Sequence, residues 1–190
     1  MDQEKLVAAL RGRDPQAAQQ LVELYGDRLL RSAFLLCGDE TEAQDLVQDT
    51  LIEAIRSVGR FRGNSSFYTW LHAILLNLTR HYHRERKKII YNDDLAISSM
   101  PMPDEEPIRL DTEAATAALS AALNNLSPPH REAVVLRYYE QMKIGDIADQ
   151  LGVSEGTVKS RLHYAVKELQ KLLPNEMNLF ADIGTKERTP

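Results

Sequence analysis

The chain has 190 residues, of which 43% are hydrophobic, and this suits one domain or two small ones with packed cores. Its formal net charge of −5 argues against strong unaided binding to DNA, because affinity for phosphates comes from lysine and arginine. The single cysteine, Cys37, excludes an internal disulfide and fits a reducing cytoplasm. The sequence shows no signal peptide and no apolar run long enough for membrane insertion, so we expect a cytoplasmic protein.

The N-terminal part of the chain is predicted to form helices. The first begins at Asp14 and Pro15, a cap followed by proline, and ends near Cys37 before a glycine. The next has an apolar stripe at three- and four-residue steps, formed by Ala43, Leu46, Val47, Thr50, Leu51, Ala54, Ile55 and Val58. Its other face is polar except for Ile52, which should lie in solvent. A loop at 61–66, rich in Gly, Asn and Ser, precedes a third helix with a basic end.

A segment at 89–112 separates this part from the rest of the chain. It combines three prolines with an excess of acidic residues, and both features disfavour a helix. We therefore predict an all-α fold of two small helical domains, 1–88 and 113–173, joined by a flexible acidic linker. The last residues, 174–190, have weak periodicity and are predicted to form a loosely held tail.

The strongest motif is a helix-turn-helix from Ile144 to about Leu169. Its first helix is short and amphipathic, Gly152 suits a left-handed C-terminus, and Ser154 can cap the helix that follows. The outward face of the second helix is predicted to present Glu155, Gly156, Thr157, Lys159, Ser160, His163 and Tyr164. This end of the second helix enters the major groove in such motifs. Two core helices joined by a glycine turn would share the apolar spacing, but the polar outward face favours DNA binding.

Four segments resemble one protein family, the bacterial sigma factors of the extracytoplasmic-function (ECF) branch. The segment IADQLGVSEGTVKSRL at 147–162 closely resembles their region 4, and LSP at 126–128 resembles the opening of that region. Independently, EAQDLVQDT at 42–50 resembles the polymerase-binding helix of region 2. FRGNSSFYTWL at 61–71 resembles the promoter-opening loop and helix of the same region. The resemblance covers about 14–171, with both regions in the right order.

The resemblance implies a transcription initiation factor that binds core RNA polymerase and directs it to promoter DNA. The implied polymerase-binding residues are Asp45, Gln48, Asp49 and Ile52. Contacts with the −10 element, held as a single strand, are expected from Arg60, Arg62, Asn64, Ser65, Ser66, Tyr68, Asn77, Arg80 and Arg84. Contacts with the −35 element as duplex are expected from Thr157, Lys159, Ser160, Arg161, His163 and Tyr164. Many relatives have arginine where this chain has Tyr164, which leaves the base preference there open.

The chemistry of these residue types agrees with the implied roles. An unstacked base needs an apolar wall, hydrogen bonds to its edge and cations along the backbone. Tyr68 and Trp70 could supply walls, although Trp70 lies on an apolar stripe and is expected to belong mostly to the core. In the −35 contact, we expect Lys159, Ser160 and His163 to face the groove, with Thr157 and Arg161 nearer the phosphates.

Two other classes of protein compete with this interpretation. A stand-alone helix-turn-helix regulator would bind a palindromic site without polymerase, and it would leave the acidic helix and the Asn-Ser loop without a role. A metalloenzyme or hydrolase is disfavoured because His81 and His83 point about 200° apart on a helix and no catalytic motif occurs. The resemblance implies no metal or cofactor. It does imply an anti-sigma factor as a partner and allows that partner to be membrane-anchored.

Overall fold

The computed structural model describes residues 3–87 and 113–172, and the side chains of 3–84 and 116–172. The predicted linker at 89–112 and the predicted tail at 174–190 lie outside these ranges. The chain divides into two compact units, Met1–Ile90 and Tyr91–Pro190. Every regular element in the described ranges is helical, which confirms the all-α fold class. None of the described helices is long and apolar enough to cross a membrane.

The first unit contains four helices. They are α1 (Gln3–Arg11), α2 (Pro15–Cys37), α3 (Glu40–Ser57), which a 3-10 turn (Val58–Arg60) extends, and α4 (Phe67–Lys87). The helices α2, α3 and α4 pack against one another, and α1 packs on α2 and on the 3-10 turn. The sequence prediction missed α1, which buries Leu6, Val7 and Leu10 against this unit.

The predicted ends of α2 are confirmed by capping geometry. The Asp14 carboxylate accepts a hydrogen bond of 2.9 Å from the backbone N–H of Gln16, and Pro15 is the first helical residue. Gly38 ends the helix in the left-handed region, with a φ of 78°. Asp39 then caps α3 by accepting a 2.8 Å hydrogen bond from the N–H of Glu42.

The apolar stripe of α3 forms the core as predicted, except that Leu51 is half-buried and one residue near the C-terminal end is exposed. Ala43, Leu46 and Ala54 are almost fully buried, and Ile52 is exposed as expected. Ile55, predicted to face inward, is 40% exposed. That prediction is wrong because Ile55 lies about 100° around the helix from the buried Ala54, outside the arc that α2 and α4 cover.

Residues 113–172 of the second unit also form four helices. They are α5 (Glu113–Leu123), α6 (Pro128–Val134), which a π-helical turn (Val135–Tyr139) extends, α7 (Ile144–Leu151) and α8 (Glu155–Leu172). The long helix α8 packs against α5, α6 and α7. Its inward residues Val158, Leu162, Ala165 and Leu169 are fully buried, as the periodicity predicts.

The helix α6 begins without a side-chain cap. Ser127 occupies the cap position with extended backbone, but its side chain makes no capping hydrogen bond. Pro128 and Pro129 have no N–H to donate, and the N–H of His130 bonds to the Ser127 carbonyl oxygen instead. The fixed φ of proline, rather than the serine hydroxyl, sets this helix start.

Candidate polymerase- and DNA-binding surfaces

The four residues predicted to bind polymerase share the solvent face of α3. Asp45, Gln48 and Asp49 are exposed, and Ile52 is 38% exposed one turn further along. Residues at these three- and four-residue steps lie along one side of a helix. We refer to Asp45, Gln48, Asp49 and Ile52 as the α3 stripe. It offers two carboxylates and an amide next to an apolar side chain, a composition typical of the rim and core of a protein interface.

Ile55 extends the apolar end of the α3 stripe. It lies three residues beyond Ile52 and is 40% exposed, so the two isoleucines are neighbours on the helix surface. Isolated exposed isoleucines are ordinary, but two adjacent ones beside the acidic residues form an apolar patch. The apolar period assigns Ile55 to the buried stripe, so the sequence alone did not predict Ile55 as part of this surface.

The predicted loop between α3 and α4 is exposed at 62–66, whereas its first residue, Phe61, is buried. Arg60, Arg62, Asn64 and Ser65 are all exposed, and Gly63 has a φ of 75°, which suits glycine. Ser66 is also exposed, but its hydroxyl caps α4 by accepting a 3.0 Å hydrogen bond from the N–H of Thr69. The structure thus brings the predicted polar and basic loop residues together and gives Ser66 a structural role.

Tyr68 does not have the accessibility that an apolar wall for a DNA base requires. Its side chain is 9% exposed, and its ring stacks on Tyr25 with a centroid distance of 6.0 Å. The guanidinium carbon of Arg28 lies 3.8 Å from the centre of the same ring. The ring therefore packs within the unit, so the expected wall at Tyr68 is not available on this surface.

Trp70 remains partly accessible at the edge of an aromatic cluster. It stacks on Phe67 at a centroid distance of 5.4 Å and contacts Phe61 at 5.5 Å. Because Phe61 and Phe67 are buried, the cluster supports Trp70 from the inside. Trp70 is the aromatic residue next to the loop that can offer an edge to a base.

Three residues of α4 with a predicted role in DNA binding, Asn77, Arg80 and Arg84, lie along one side of the helix. Asn77 and Arg84 are exposed and Arg80 is half-buried, at steps of three and four residues. The Nε atom of Arg84 donates a 3.3 Å hydrogen bond to the carbonyl oxygen of Arg80. The structure therefore places these three predicted residues on a common surface of the first unit.

The helix-turn-helix is confirmed in its local geometry. Gly152 has a φ of 69°, and its N–H bonds to the carbonyl oxygen of Ala148. The Ser154 hydroxyl accepts a 3.1 Å hydrogen bond from the N–H of Thr157 and lies 2.9 Å from the Thr157 hydroxyl. The turn between α7 and α8 is therefore closed by backbone and capping contacts.

The outward face of α8 is narrower than predicted. His163 is exposed and Thr157, Lys159 and Tyr164 are half-buried, whereas Ser160 and Arg161 are each 7% exposed. The expectation that Ser160 faces outward is wrong, and Arg161 is also buried. Both lie within the arc of α8 that packs against the other helices, because they flank the fully buried Val158 and Leu162.

On the outward face of α8, Lys159 and Tyr164 contact neighbouring side chains of the same protein. The Lys159 ammonium lies 3.7 Å from the Glu155 carboxylate one turn earlier. The ring of Tyr164 lies 5.7 Å from that of His163 and 6.4 Å from that of His130 on α6. Burial lowers the pKa of His130, which favours the neutral imidazole beside Tyr164.

The histidines and the cysteine of the described residues lie apart from one another or are buried. Among residues 3–84 and 116–172, no three His, Cys, Asp or Glu side chains lie close enough to hold a metal ion. His81 is exposed and His83 is buried, so the two side chains point apart. Burial raises the pKa of the Cys37 thiol to about 11, so the thiol stays protonated near neutral pH.

Comparison with known proteins assigns both units to one family. Residues 21–89 match the family model described as sigma-70 region 2, and residues 116–169 match the one described as sigma-70, region 4. The chain is 34% identical to the ECF RNA polymerase sigma factor SigL of Mycobacterium tuberculosis, over 76% of this chain and 82% of that protein. The chain belongs to the ECF sigma factors. It is therefore a transcription initiation factor.

Further similarities place this ECF sigma factor among characterised relatives. It is 35% identical to SigE of Mycolicibacterium smegmatis over 81% of this chain. The matched segment covers 60% of SigE, which is the longer protein. A solved structure of RpoE from Bartonella quintana, in complex with the anti-sigma factor NepR, is 32% identical with a TM-score of 0.61. That similarity covers 81% of this chain and 94% of RpoE. CnrH, solved with the cytosolic domain of CnrY, is 26% identical with a TM-score of 0.65, over 90% of this chain and 96% of CnrH.

Proposed function

We propose that this ECF sigma factor binds core RNA polymerase through the α3 stripe and directs it to promoters with two DNA elements. The observation that carries this proposal is that all four predicted docking residues are exposed together on α3. A stand-alone regulator would have no use for such a surface. In this proposal, residues 1–88 act as region 2, 89–112 as linker and 113–173 as region 4, in the cytoplasm.

The loop and α4 are proposed to bind the −10 element as a single strand. Asn64 and Ser65 would hydrogen-bond base edges, and Trp70 would supply the apolar edge that Tyr68 does not offer. The phosphates would be contacted by the exposed Arg60, Arg62, Asn77 and Arg84 and by the half-buried Arg80. Ser66 would contribute through its backbone, since its hydroxyl caps α4.

The N-terminal half of α8 is proposed to contact the −35 element in the major groove. Lys159 and His163 are the best-placed groove contacts, and Thr157 and Tyr164 lie beside them. Lysine can donate to the acceptors of guanine, but without the two-pronged geometry of arginine. The buried Ser160 and Arg161 would support this surface from within.

An anti-sigma factor is proposed as the inhibitory partner. The proteins related to this chain in fold, RpoE and CnrH, were both solved with a bound partner, an anti-sigma factor in the case of RpoE. A partner that covers the α3 stripe would block polymerase binding directly. We infer that release from such an inhibitor, rather than any catalytic activity, controls this protein.

Binding to purified core polymerase tests the docking surface. Asp49→Arg reverses a charge in the α3 stripe without entering the core, so it should weaken binding by about tenfold or more. Asp27→Arg makes the same change at an exposed position of α2 and serves as the control. Both variants should keep the circular dichroism spectrum and melting temperature of the parent chain. Equal affinity of all three chains for core polymerase would refute docking through α3.

A further inference from the structure

Both ends of the loop at 62–66 are held by α1. The Nη2 atom of Arg11 donates a 2.6 Å hydrogen bond to the carbonyl oxygen of Phe61, the residue before the loop. At the other end, the side-chain oxygen of Gln3 accepts a 2.9 Å hydrogen bond from the N–H of Phe67, the first residue of α4. These contacts join residues 50 and 64 positions apart in the chain.

The base of the loop is closed by apolar contacts as well. The rings of Phe61 and Phe67 meet edge to face at 5.2 Å, and the two side chains are 6% and 0% exposed. Above this base, residues 62–66 are all exposed. The loop is therefore fixed at its two ends and open to solvent along its length.

The helix α1 is held on the first unit by apolar side chains as well as by the two polar contacts. Leu6, Val7 and Leu10 are at most 5% exposed, and their burial holds α1 on the first unit. The N–H of Phe67 is among the first in α4, which have no partner within the helix, and Gln3 supplies one. The polar side chains of α1 are thus directed at the loop ends, in addition to the apolar packing.

We propose that α1 positions the strand-binding loop and that Gln3 and Arg11 are its positioning residues. This inference rests on the proposed function of the loop. A loop whose ends are already fixed loses less conformational entropy when it binds an unstacked base, so affinity for the single strand rises. The family model for region 2 matches from residue 21 onward, so α1 lies outside the segment that it describes.

The test compares holoenzymes made with core polymerase and full-length variants. Gln3→Met and Arg11→Met remove the two hydrogen bonds while keeping side chains of similar length. Lys5→Met removes a positive charge at an exposed position of the same helix and is the control. Gln3→Glu keeps an oxygen that can accept the hydrogen bond from the N–H of Phe67, so it should restore the oligonucleotide affinity that Gln3→Met loses. The probe is a short single-stranded oligonucleotide spanning the −10 element of a promoter mapped by run-off transcription.

The double variant combines Gln3→Met with Arg11→Met. Its affinity for the oligonucleotide should be about fivefold lower than that of the parent, because two hydrogen bonds that order the loop are lost. Affinity for core polymerase should not change, and Lys5→Met should behave as the parent. Unchanged oligonucleotide affinity in the folded double variant would overturn the proposal. So would parallel losses of oligonucleotide and core affinity, which would show that α1 only stabilises the fold.

Amide hydrogen exchange in the free protein provides a readout that does not depend on DNA. Exchange at 62–67 should be faster in the double variant, and in Gln3→Met alone if the double variant does not fold. Equal exchange would overturn the positioning role. If the parent holoenzyme binds no oligonucleotide, the DNA-binding role of the loop is wrong, whereas the exchange result still decides whether α1 orders it.

Discussion

The Lys159 ammonium lies 3.7 Å from the Glu155 carboxylate on the outward face of α8. The Lys159 and Glu155 side chains are 38% and 59% exposed, so solvent screens the pair and it contributes little to stability. Its position matters more, because in the proposed contact with the −35 element Glu155 would partly neutralise Lys159. The pair is therefore expected to lower the affinity of α8 for duplex DNA.

Removal of this carboxylate should strengthen binding to duplex DNA. Glu155→Gln should raise the affinity of the holoenzyme for a −35 duplex about two- to fivefold at low salt, with a smaller gain at high salt. Glu168→Gln breaks the comparable pair with Lys171 on the same helix and should have little effect. Fluorescence anisotropy over a salt series measures both variants. A loss of affinity in Glu155→Gln would show instead that the carboxylate contacts a base.

Tyr68 is predicted to act through packing and not through DNA contact. Its ring is enclosed by Tyr25 and Arg28, so Tyr68→Ala should destabilise the first unit by about 3–5 kcal/mol. Tyr68→Phe keeps the ring and should leave open-complex formation within about twofold of the parent. Thermal unfolding and permanganate footprinting measure the two properties. A folded Tyr68→Phe variant that cannot open the promoter would assign the hydroxyl to DNA.

Ile55 is predicted to belong to the polymerase interface next to Ile52. An arginine there would place a charge in the apolar end of the interface, so Ile55→Arg should weaken core binding about tenfold. Leu24→Arg alters a side chain on α2 that is 50% exposed and is the matched control. Equal core affinity in the two variants would confine the interface to the four residues predicted from the sequence.

The stability of the second unit should fall in mild acid because of His130. Burial lowers the pKa of His130 in the folded chain below its usual value of about 6.5, so folding favours the neutral ring. Below about pH 6.5 the unfolded chain therefore binds more protons at this residue than the folded chain does. The free energy of unfolding is unaffected by His130 above that pH and decreases as the pH falls from about 6.5 towards the folded pKa. His130→Phe should flatten the decline of melting temperature between about pH 7 and 5. His163→Phe, at an exposed position, controls for the loss of an imidazole, and an unchanged slope in His130→Phe would contradict the assignment.

Local signals in the sequence were sufficient for most of the fold. The ends of α2 follow from the Asp14 cap and from Gly38, and the turn between α7 and α8 follows from Gly152 and Ser154, because capping depends on a few adjacent residues. The exposed α3 stripe follows from helical periodicity. Its predicted role came from the resemblance, which the comparisons support at the level of the family.

The failures have a common cause in tertiary packing. Ile55 and Ser160 lie at the edges of their helical faces, where the neighbouring helices decide which side chains are covered. Tyr68 is buried because Tyr25 and Arg28, more than thirty-five residues earlier, enclose its ring. The contacts of Gln3 and Arg11 with the loop also join distant residues, and no local pattern predicts them.

Run-off transcription with purified core polymerase on a library of genomic promoter fragments tests the central claim most directly. The purified chain is first checked by mass spectrometry for a bound inhibitor. We predict discrete transcripts that require the chain and whose promoters share a −35 and a −10 element at a fixed spacing. Core polymerase with the folded, inhibitor-free chain that yields no promoter-specific transcript would contradict the account.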